Sequence, residues 1–131
     1  MSTFRTFENL EAWKACRELR LFAAREIVPV LPSIEKYRLA DQLIRSSRST
    51  TANLAEGYGR FHYLEKAKFC SQSRGSVFEV LDHLITAVDE QLITEAYLAR
   101  GRDLAQQADR LLNGYMKYLR SAKSSSEDSP A

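Results

Sequence analysis

Arginines spaced along one predicted helix are the residues of this chain best suited to chemistry. Arg45 lies a heptad after Arg38, and Arg48 follows about one turn later on the same face. Guanidinium groups arranged in this way contact phosphates in a salt-sensitive manner that depends little on sequence. The candidate nucleic-acid contacts, including those that continue past the helix, are Arg38, Arg45, Arg48, Arg60, Lys66, Lys68 and Arg74.

The same arginines also have a structural interpretation. Asp41 lies four residues before Arg45, the spacing of an ion pair on one helix face. Glu56 and Glu79 are further carboxylates that Arg45 or Arg48 would bind within one subunit or between subunits. Structural arginines and phosphate-binding arginines therefore remain two open interpretations of this helix.

Charge is distributed unevenly along the chain, although the net charge is only +2. Residues 36–74 contain eight basic and three acidic side chains, whereas residues 75–95 contain five acidic and no basic ones. This polarity predicts one basic end and one acidic end for the third helix. Tyr58, Phe61 and Tyr63 lie beside the basic turn, where they either stack on bases or belong to the core.

The sequence does not favour an enzyme, and no cofactor is predicted. Glu79 and His83 have the spacing of metal ligands on a helix, but a bundle metal centre needs matching ligands on other helices, so no metal site is predicted. Ser33 and Lys36 match a Ser-x-x-Lys pattern without its partner motifs, and Ser33 is predicted to cap a helix instead. No phosphate-binding loop, nucleophile elbow or catalytic triad is recognisable.

Helical periodicity dominates the chain, and breakers are scarce, with 5 Gly and 3 Pro. We predict a first helix capped by Asn9 and ended by Pro29 and Pro32, and a second from about residues 33–36 to the glycines at 57 and 59. The third is predicted over about 63–90, and the fourth begins after Thr94. The fold prediction is a single all-α domain at 1–123, an antiparallel up-down-up-down four-helix bundle, followed by a disordered polar tail at 124–131.

Small residues are concentrated at the middle of the second and third helices. Serines and threonines at 46–51 are predicted to face serines and a glycine at 71–76, bringing the two helices close together. Gly75 lies inside the third helix, where glycine is unfavourable. We therefore expect another helix to pass too close to Gly75 for a larger side chain, and Gly75→Leu to disturb packing or assembly.

Three segments, in order, carry a family resemblance. They are residues 7–13 (FENLEAW), residues 42–60 with QLIR and ANLAEGYGR, and residues 75–79 (GSVFE). They resemble the 23S rRNA intervening-sequence protein family, whose members are antiparallel four-helix bundles related to accessory proteins of diversity-generating retroelements. The resemblance implies a ring-shaped homopentamer and nucleic-acid binding. Within these segments we assign structural or subunit-contact roles to Asn53, Glu56, Gly57, Gly59, Gly75, Ser76 and Glu79.

Two functions are compatible with these features. The first is a non-enzymatic homopentamer that binds RNA or DNA weakly through a basic surface, without base specificity. The second is an oligomeric scaffold that binds a protein partner and no nucleic acid. Cys16 and Cys70 match no metal or redox spacing, and no segment is apolar enough to cross a bilayer. We therefore expect a cytoplasmic protein without membrane contact.

Overall fold

The computed structural model of the protein describes residues 4–127, with side chains as far as residue 122, and all regular structure in this range is helical. The four long helices are α1 (Glu11–Phe22), α2 (Leu39–Tyr58), α3 (Tyr63–Asp89) and α4 (Glu95–Glu127). The prediction of an all-α chain with four helices is confirmed, and the arrangement is consistent with a helical bundle.

The start of α1 differs from the prediction. A 3-10 turn at Phe7–Asn9 precedes the helix, and the Thr6 hydroxyl accepts a hydrogen bond from the Glu8 backbone N–H at 3.1 Å. Asn9 is the last residue of this turn, and Leu10 is the N-cap of α1 without a side-chain cap bond. The assignment of Asn9 as the cap was wrong because Asn9 closes a separate turn that begins at Phe7, and α1 begins only at Glu11.

The end of α1 is gradual. After Phe22 the backbone widens into a π-helical turn at Ala23–Ile27 and then tightens into a 3-10 turn at Val28–Val30. Pro29 is tolerated in this short turn because its missing N–H would have no partner there. The chain thus leaves the helix at the predicted prolines, but through two changes of helix type.

Helix α2 begins later than predicted. Ser33–Glu35 forms a separate 3-10 turn, and the backbone N–H of Leu39 is capped by Oε2 of Glu35 at 3.1 Å. Ser33 therefore does not cap α2, because a carboxylate nearer to the helix satisfies its first free N–H group. Helix α2 ends after Tyr58, and Gly59 follows with an ordinary negative φ of −77°, so this end does not use a left-handed glycine.

The close packing of α2 on α3 was predicted correctly. Ser46, Ser47, Thr50 and Thr51 are buried, and each hydroxyl donates to a carbonyl three or four residues earlier in α2. Across the contact, the buried Ser73 hydroxyl donates to the Thr50 carbonyl at 2.5 Å. The polar stripe of α2 is thus compatible with burial because its hydroxyls are all satisfied.

The apolar core lies between the four helices. Its largest fully buried aliphatic side chains are Leu19, Ile27, Leu43, Leu54, Val77, Val80, Leu84, Leu112 and Leu119. Burial of each such side chain contributes about 1.5–3 kcal/mol relative to exposure. The Cys70 thiol points into the same core, where it lies 3.5 Å from the Leu112 carbonyl oxygen of α4.

Gly75 does not have the role expected within the chain. Gly75 is exposed, and a Cβ built on it has no neighbouring atom within 4 Å. The close approaches are at Gly57, where a Cβ would lie 2.7 Å from Cβ of Phe69, and at Gly101, where it would collide with Cδ1 of Leu84. The prediction of a close helix at Gly75 was wrong for the protomer because Gly75 is on the outer face of α3.

The C-terminal boundary also extends further than predicted. Helix α4 is described as far as Glu127, beyond the expected domain end at residue 123. Residues 128–131 of the predicted tail lie outside the described residues. Within residues 4–127, no helix combines the length and the apolar character needed to cross a membrane.

Candidate nucleic-acid interface

Within the part of the chain that the structure describes, three of the seven predicted cations have acidic partners. The ion pairs are Arg45 with Asp41 (3.1 Å), Arg60 with Glu56 (3.0 Å) and Arg74 with Asp109 (2.6 Å). Each arginine retains considerable exposure, so the pairs contribute little stability. They do reduce the charge that the three arginines present to a ligand.

Lys66 is a structural residue in addition to a candidate contact. Its Nζ donates to the Tyr58 carbonyl at 2.7 Å and lies 5.3 Å from the centre of the Tyr58 ring. Partial burial lowers the pKa of Lys66 from its ordinary value of 10.5. Lys66 is therefore not a freely exposed cation, because its side chain folds back over the end of α2.

Arg38, Arg48 and Lys68 are the predicted cations that stay exposed without an ion pair in the described part of the chain. The seven predicted cations do not form one contiguous surface. Arg38 precedes α2 and Arg60 follows it, and a helix of 20 residues places these two about 30 Å apart. The seven cations are therefore divided between the two ends and the middle of α2 and α3.

Two of the predicted structural residues, Asn53 and Ser76, belong to a short polar chain between α2 and α3. Asn53 Nδ2 donates to the carbonyl and to the hydroxyl of Ser49, both at 2.9 Å. The Ser76 hydroxyl then donates to the Ser49 hydroxyl at 2.8 Å, linking the two helices. Asn53 and Ser76 thus connect the helices, and Gly57 allows their close approach.

Glu79 and His83 contact each other and no further ligating group. Glu79 Oε2 lies 3.2 Å from Nε2 of His83, with the carboxylate more than half exposed. Within the described residues, no group of three or more His, Cys, Asp or Glu side chains is placed to hold a metal ion. The pair joins a buried imidazole to an exposed carboxylate at the usual helical spacing of four residues.

The two cysteines are buried and unpaired. Burial raises the pKa of Cys16 from 9.0 to about 11, although hydrogen bonds from Ser73 and Thr50 oppose the shift. Burial also raises the pKa of Cys70 to about 12. Because the thiolate is the reactive form, both side chains are poor nucleophiles at neutral pH.

A cleft of about 1000 Å³ opens at the end of the molecule where α2 turns into α3. Thr6 and its neighbours before α1, the α2–α3 turn and the C-terminal part of α4 form its walls. Phe7 helps to hold the N-terminal segment there, with its ring 5.2 Å from Trp13 and 6.5 Å from Tyr58 between centroids. We call this the aromatic cleft.

The lining of the aromatic cleft combines rings with positive charge. Its six aromatic residues are Phe4, Tyr58, Phe61, Tyr63, Tyr115 and Tyr118. Its cations are Arg5, Arg60 and Lys66, and the described lining contains no Asp or Glu. Burial raises the pKa of Tyr115 to about 12, so this hydroxyl stays neutral and adds no negative charge. The cleft is therefore suited to an anionic ligand that carries flat rings.

Sequence reasoning found part of this cleft. Tyr58, Phe61 and Tyr63 were recognised beside the basic turn, as were Arg60 and Lys66. Arg5, Phe4, Tyr115 and Tyr118 were missed because they come from the two distant ends of the chain. The one available signal was the spacing of Tyr115 and Tyr118, which places them near each other on the helix.

Comparison with known proteins agrees with the motifs. A search of curated proteins finds no match. The family model for the 23S rRNA-intervening sequence protein matches residues 8–114, which include α1, α2, α3 and more than half of α4. The resemblance carried by FENLEAW, ANLAEGYGR and GSVFE is thereby confirmed, and the chain belongs to the 23S rRNA-intervening sequence protein family.

Proposed function

We propose that the protein is a non-enzymatic, cytoplasmic homopentamer that binds RNA or DNA by phosphate contacts, with little sequence preference. The observation that carries this proposal is the aromatic cleft, which has cationic side chains and no acidic one in its lining. The exposed Arg48 and Lys68 add charge outside the cleft. Such a distribution attracts a polyanion by a mechanism that weakens with salt.

An antiparallel up-down-up-down bundle is part of the proposal. The contacts from α2 to α3 support it, since Gly57 approaches Phe69 near one end and Ser49 bonds Ser76 further along. Helices α3 and α4 show the same antiparallel pattern, because Arg74 contacts Asp109 whereas Leu84, later in α3, contacts Gly101, earlier in α4. The short connections of residues 59–62 between α2 and α3 and of residues 90–94 between α3 and α4 favour the same order.

Two features support a protein without catalysis. The buried thiols have raised pKa values, so neither is an activated nucleophile. The imidazole of His83 is hydrogen-bonded to the carboxylate of Glu79. Among the described hydrogen bonds, no hydroxyl or thiol group contacts either side chain of this pair. A general base without a neighbouring nucleophile does not make an acyl-transfer site.

The outer faces of α2 and α3 support assembly. Ala52 and Gly75 are exposed small residues on these faces, and a flat surface of small side chains lets another helix pack closely. Glycine is unfavourable inside a helix, and no atom of the protomer lies within 4 Å of a Cβ built on Gly75. Contact with a second subunit would explain why glycine occurs at this position. A ring of five copies would repeat the basic residues and bind a polyanion by avidity.

Gly75→Leu is expected to reduce assembly. A leucine fits the protomer because nothing lies within 4 Å of Gly75, so any loss of oligomer reports a contact with another subunit. Gly114→Leu is the matched control, since Gly114 is also an exposed helical glycine with open space around it. Light scattering at micromolar concentration measures both. Equal assembly of the two variants and the wild type would contradict a subunit contact at Gly75.

Nucleic-acid binding is tested by titrating labelled RNA and DNA at several salt concentrations. If the ring makes two phosphate contacts per subunit, about ten in all, affinity should fall by roughly 10⁵-fold between 50 and 200 mM salt. Scrambled sequences should bind equally well. An assembly-deficient variant should bind much more weakly, because avidity is lost. Absence of binding at low salt would rule the proposal out.

One observation favours the alternative of a protein-binding scaffold. Phe78 and Ile85 are partly exposed on α3, and Phe78 borders a groove with Leu81 and Arg102. Arg74 covers part of this apolar surface, with its guanidinium carbon 5.0 Å from the Phe78 ring centre. A protein that binds no nucleic acid at low salt and still forms its oligomer would leave the scaffold as the better account.

A further inference from the structure

The aromatic cleft exposes rings that a folded chain ordinarily buries. Phe61 is 93% exposed, Phe4 is 91% exposed and Tyr118 is 60% exposed. Single exposed apolar residues are normal, but several at one cleft mark a binding surface. The other rings around the same cleft, Phe7, Tyr58, Tyr63 and Tyr115, are partly buried.

Two of the exposed rings are available as stacking platforms. Tyr118 lies nearly parallel to Tyr115, with ring centroids 6.3 Å apart and an interplanar angle of 14°. Since Tyr115 packs against the core, this stack restricts the orientation of Tyr118. Phe61 is presented by the turn between α2 and α3, on the other side of Gly59 from the helix end. Both rings offer a π-surface to a planar ligand.

The charge around these rings indicates an anion. Arg60 forms an ion pair with Glu56, and its guanidinium group stacks over the Phe69 ring. Arg5 has no ion pair in the described structure, so its positive charge at the cleft is uncompensated. Rings combined with cations are the composition of sites for single strands, where bases stack on side chains and cations follow the backbone. In a duplex the bases are already stacked on each other and cannot reach such platforms.

We propose that the aromatic cleft binds unpaired nucleotides of single-stranded RNA or DNA, with bases stacked on Phe61 and Tyr118 and the phosphates near Arg5 and Arg60. This rests on the proposed nucleic-acid function and adds a preference for single strands. Because every base has a π-face, the site discriminates strandedness and not sequence. The cleft volume is at the upper limit of small-ligand pockets, which suits a short stretch of nucleotides.

The experiment compares a labelled single strand with the duplex of the same sequence, each as RNA and as DNA, at low salt. The wild-type protein should bind the single strands more tightly. Phe61→Ala and Tyr118→Ala should each weaken single-strand binding about fivefold or more and leave duplex binding nearly unchanged. Tyr37→Ala is the matched control: Tyr37 is 83% exposed but lies between α1 and α2, away from the cleft, and its loss should change neither affinity.

Phe61→Trp supplies a readout that does not depend on loss of binding. The indole keeps the stacking surface, so single-strand affinity should be retained, and its emission should be quenched when a base stacks on it. The parent protein, whose one tryptophan is Trp13, gives the background. Wild-type single-strand affinity in both alanine variants would overturn the proposal, as would equal binding of single strand and duplex. Either result leaves phosphate binding intact, whereas failure to bind any nucleic acid overturns both proposals.

Discussion

Gly57→Ala is expected to lower the free energy of unfolding by about 1–3 kcal/mol, the usual penalty for overpacking. The added methyl would lie 2.7 Å from Cβ of Phe69, an atom that cannot move without its backbone. Lys66 O, at 3.4 Å, also limits movement on that side. Helices α2 and α3 would have to separate at this close contact. Urea denaturation at fixed protein concentration measures the change.

Gly114→Ala is the control for Gly57→Ala because it makes the same chemical change in a helix with space available. A Cβ at Gly114 has no neighbour within 4 Å, so the higher helix propensity of alanine should raise the free energy of unfolding by about 0.5–1 kcal/mol. The two variants should thus shift the urea midpoint in opposite directions. A stabilised Gly57→Ala protein would contradict the packing of α2 on Phe69.

The glycines illustrate how much the sequence could predict. Helical periodicity correctly located the four helices, and the small residues of α2 and α3 correctly indicated a close contact. The prediction chose the wrong glycine for this contact. Gly75 lies two residues from both Ser73 and Val77, which are buried, and it therefore faces away from the core. Gly57 was assigned a structural role, but the contacts of Gly57 and Gly101 could not be predicted because their neighbours, Phe69 and Leu84, come from other helices. Periodicity gives the buried face, but only tertiary packing shows which residue meets a neighbour.

Candidate functional residues were predictable to a similar degree. The alternative in which Arg45 pairs with Asp41 was confirmed, since its spacing of four residues is visible in the sequence. The partner of Arg74 was not predictable, because Asp109 lies 35 residues away on α4. The hydrogen bond from Lys66 to the Tyr58 carbonyl was not predictable either, because it depends on how the turn folds. Local pairs can be predicted from spacing, whereas the aromatic cleft required the two chain ends to meet.

Charge reversal at Arg5 and Lys68 is expected to abolish most nucleic-acid binding. Both side chains are exposed and lack an ion pair in the described structure, so the change should leave the fold intact. Arg5 lines the aromatic cleft, and Lys68 lies on α3 one residue before the Phe69 that packs on Gly57. Each replacement removes a phosphate contact and adds repulsion, and a five-membered ring multiplies this loss.

For the double variant Arg5→Glu with Lys68→Glu, we expect affinity at low salt to fall at least about tenfold. The dependence of log affinity on log salt should become shallower, because fewer counterions are released. The control is Arg25→Glu with Arg102→Glu, which changes the net charge equally at exposed positions outside the predicted set. Its loss of affinity should be much smaller. If both double variants lose affinity equally, net charge alone governs binding; if only the first does, the phosphate contacts lie around the aromatic cleft.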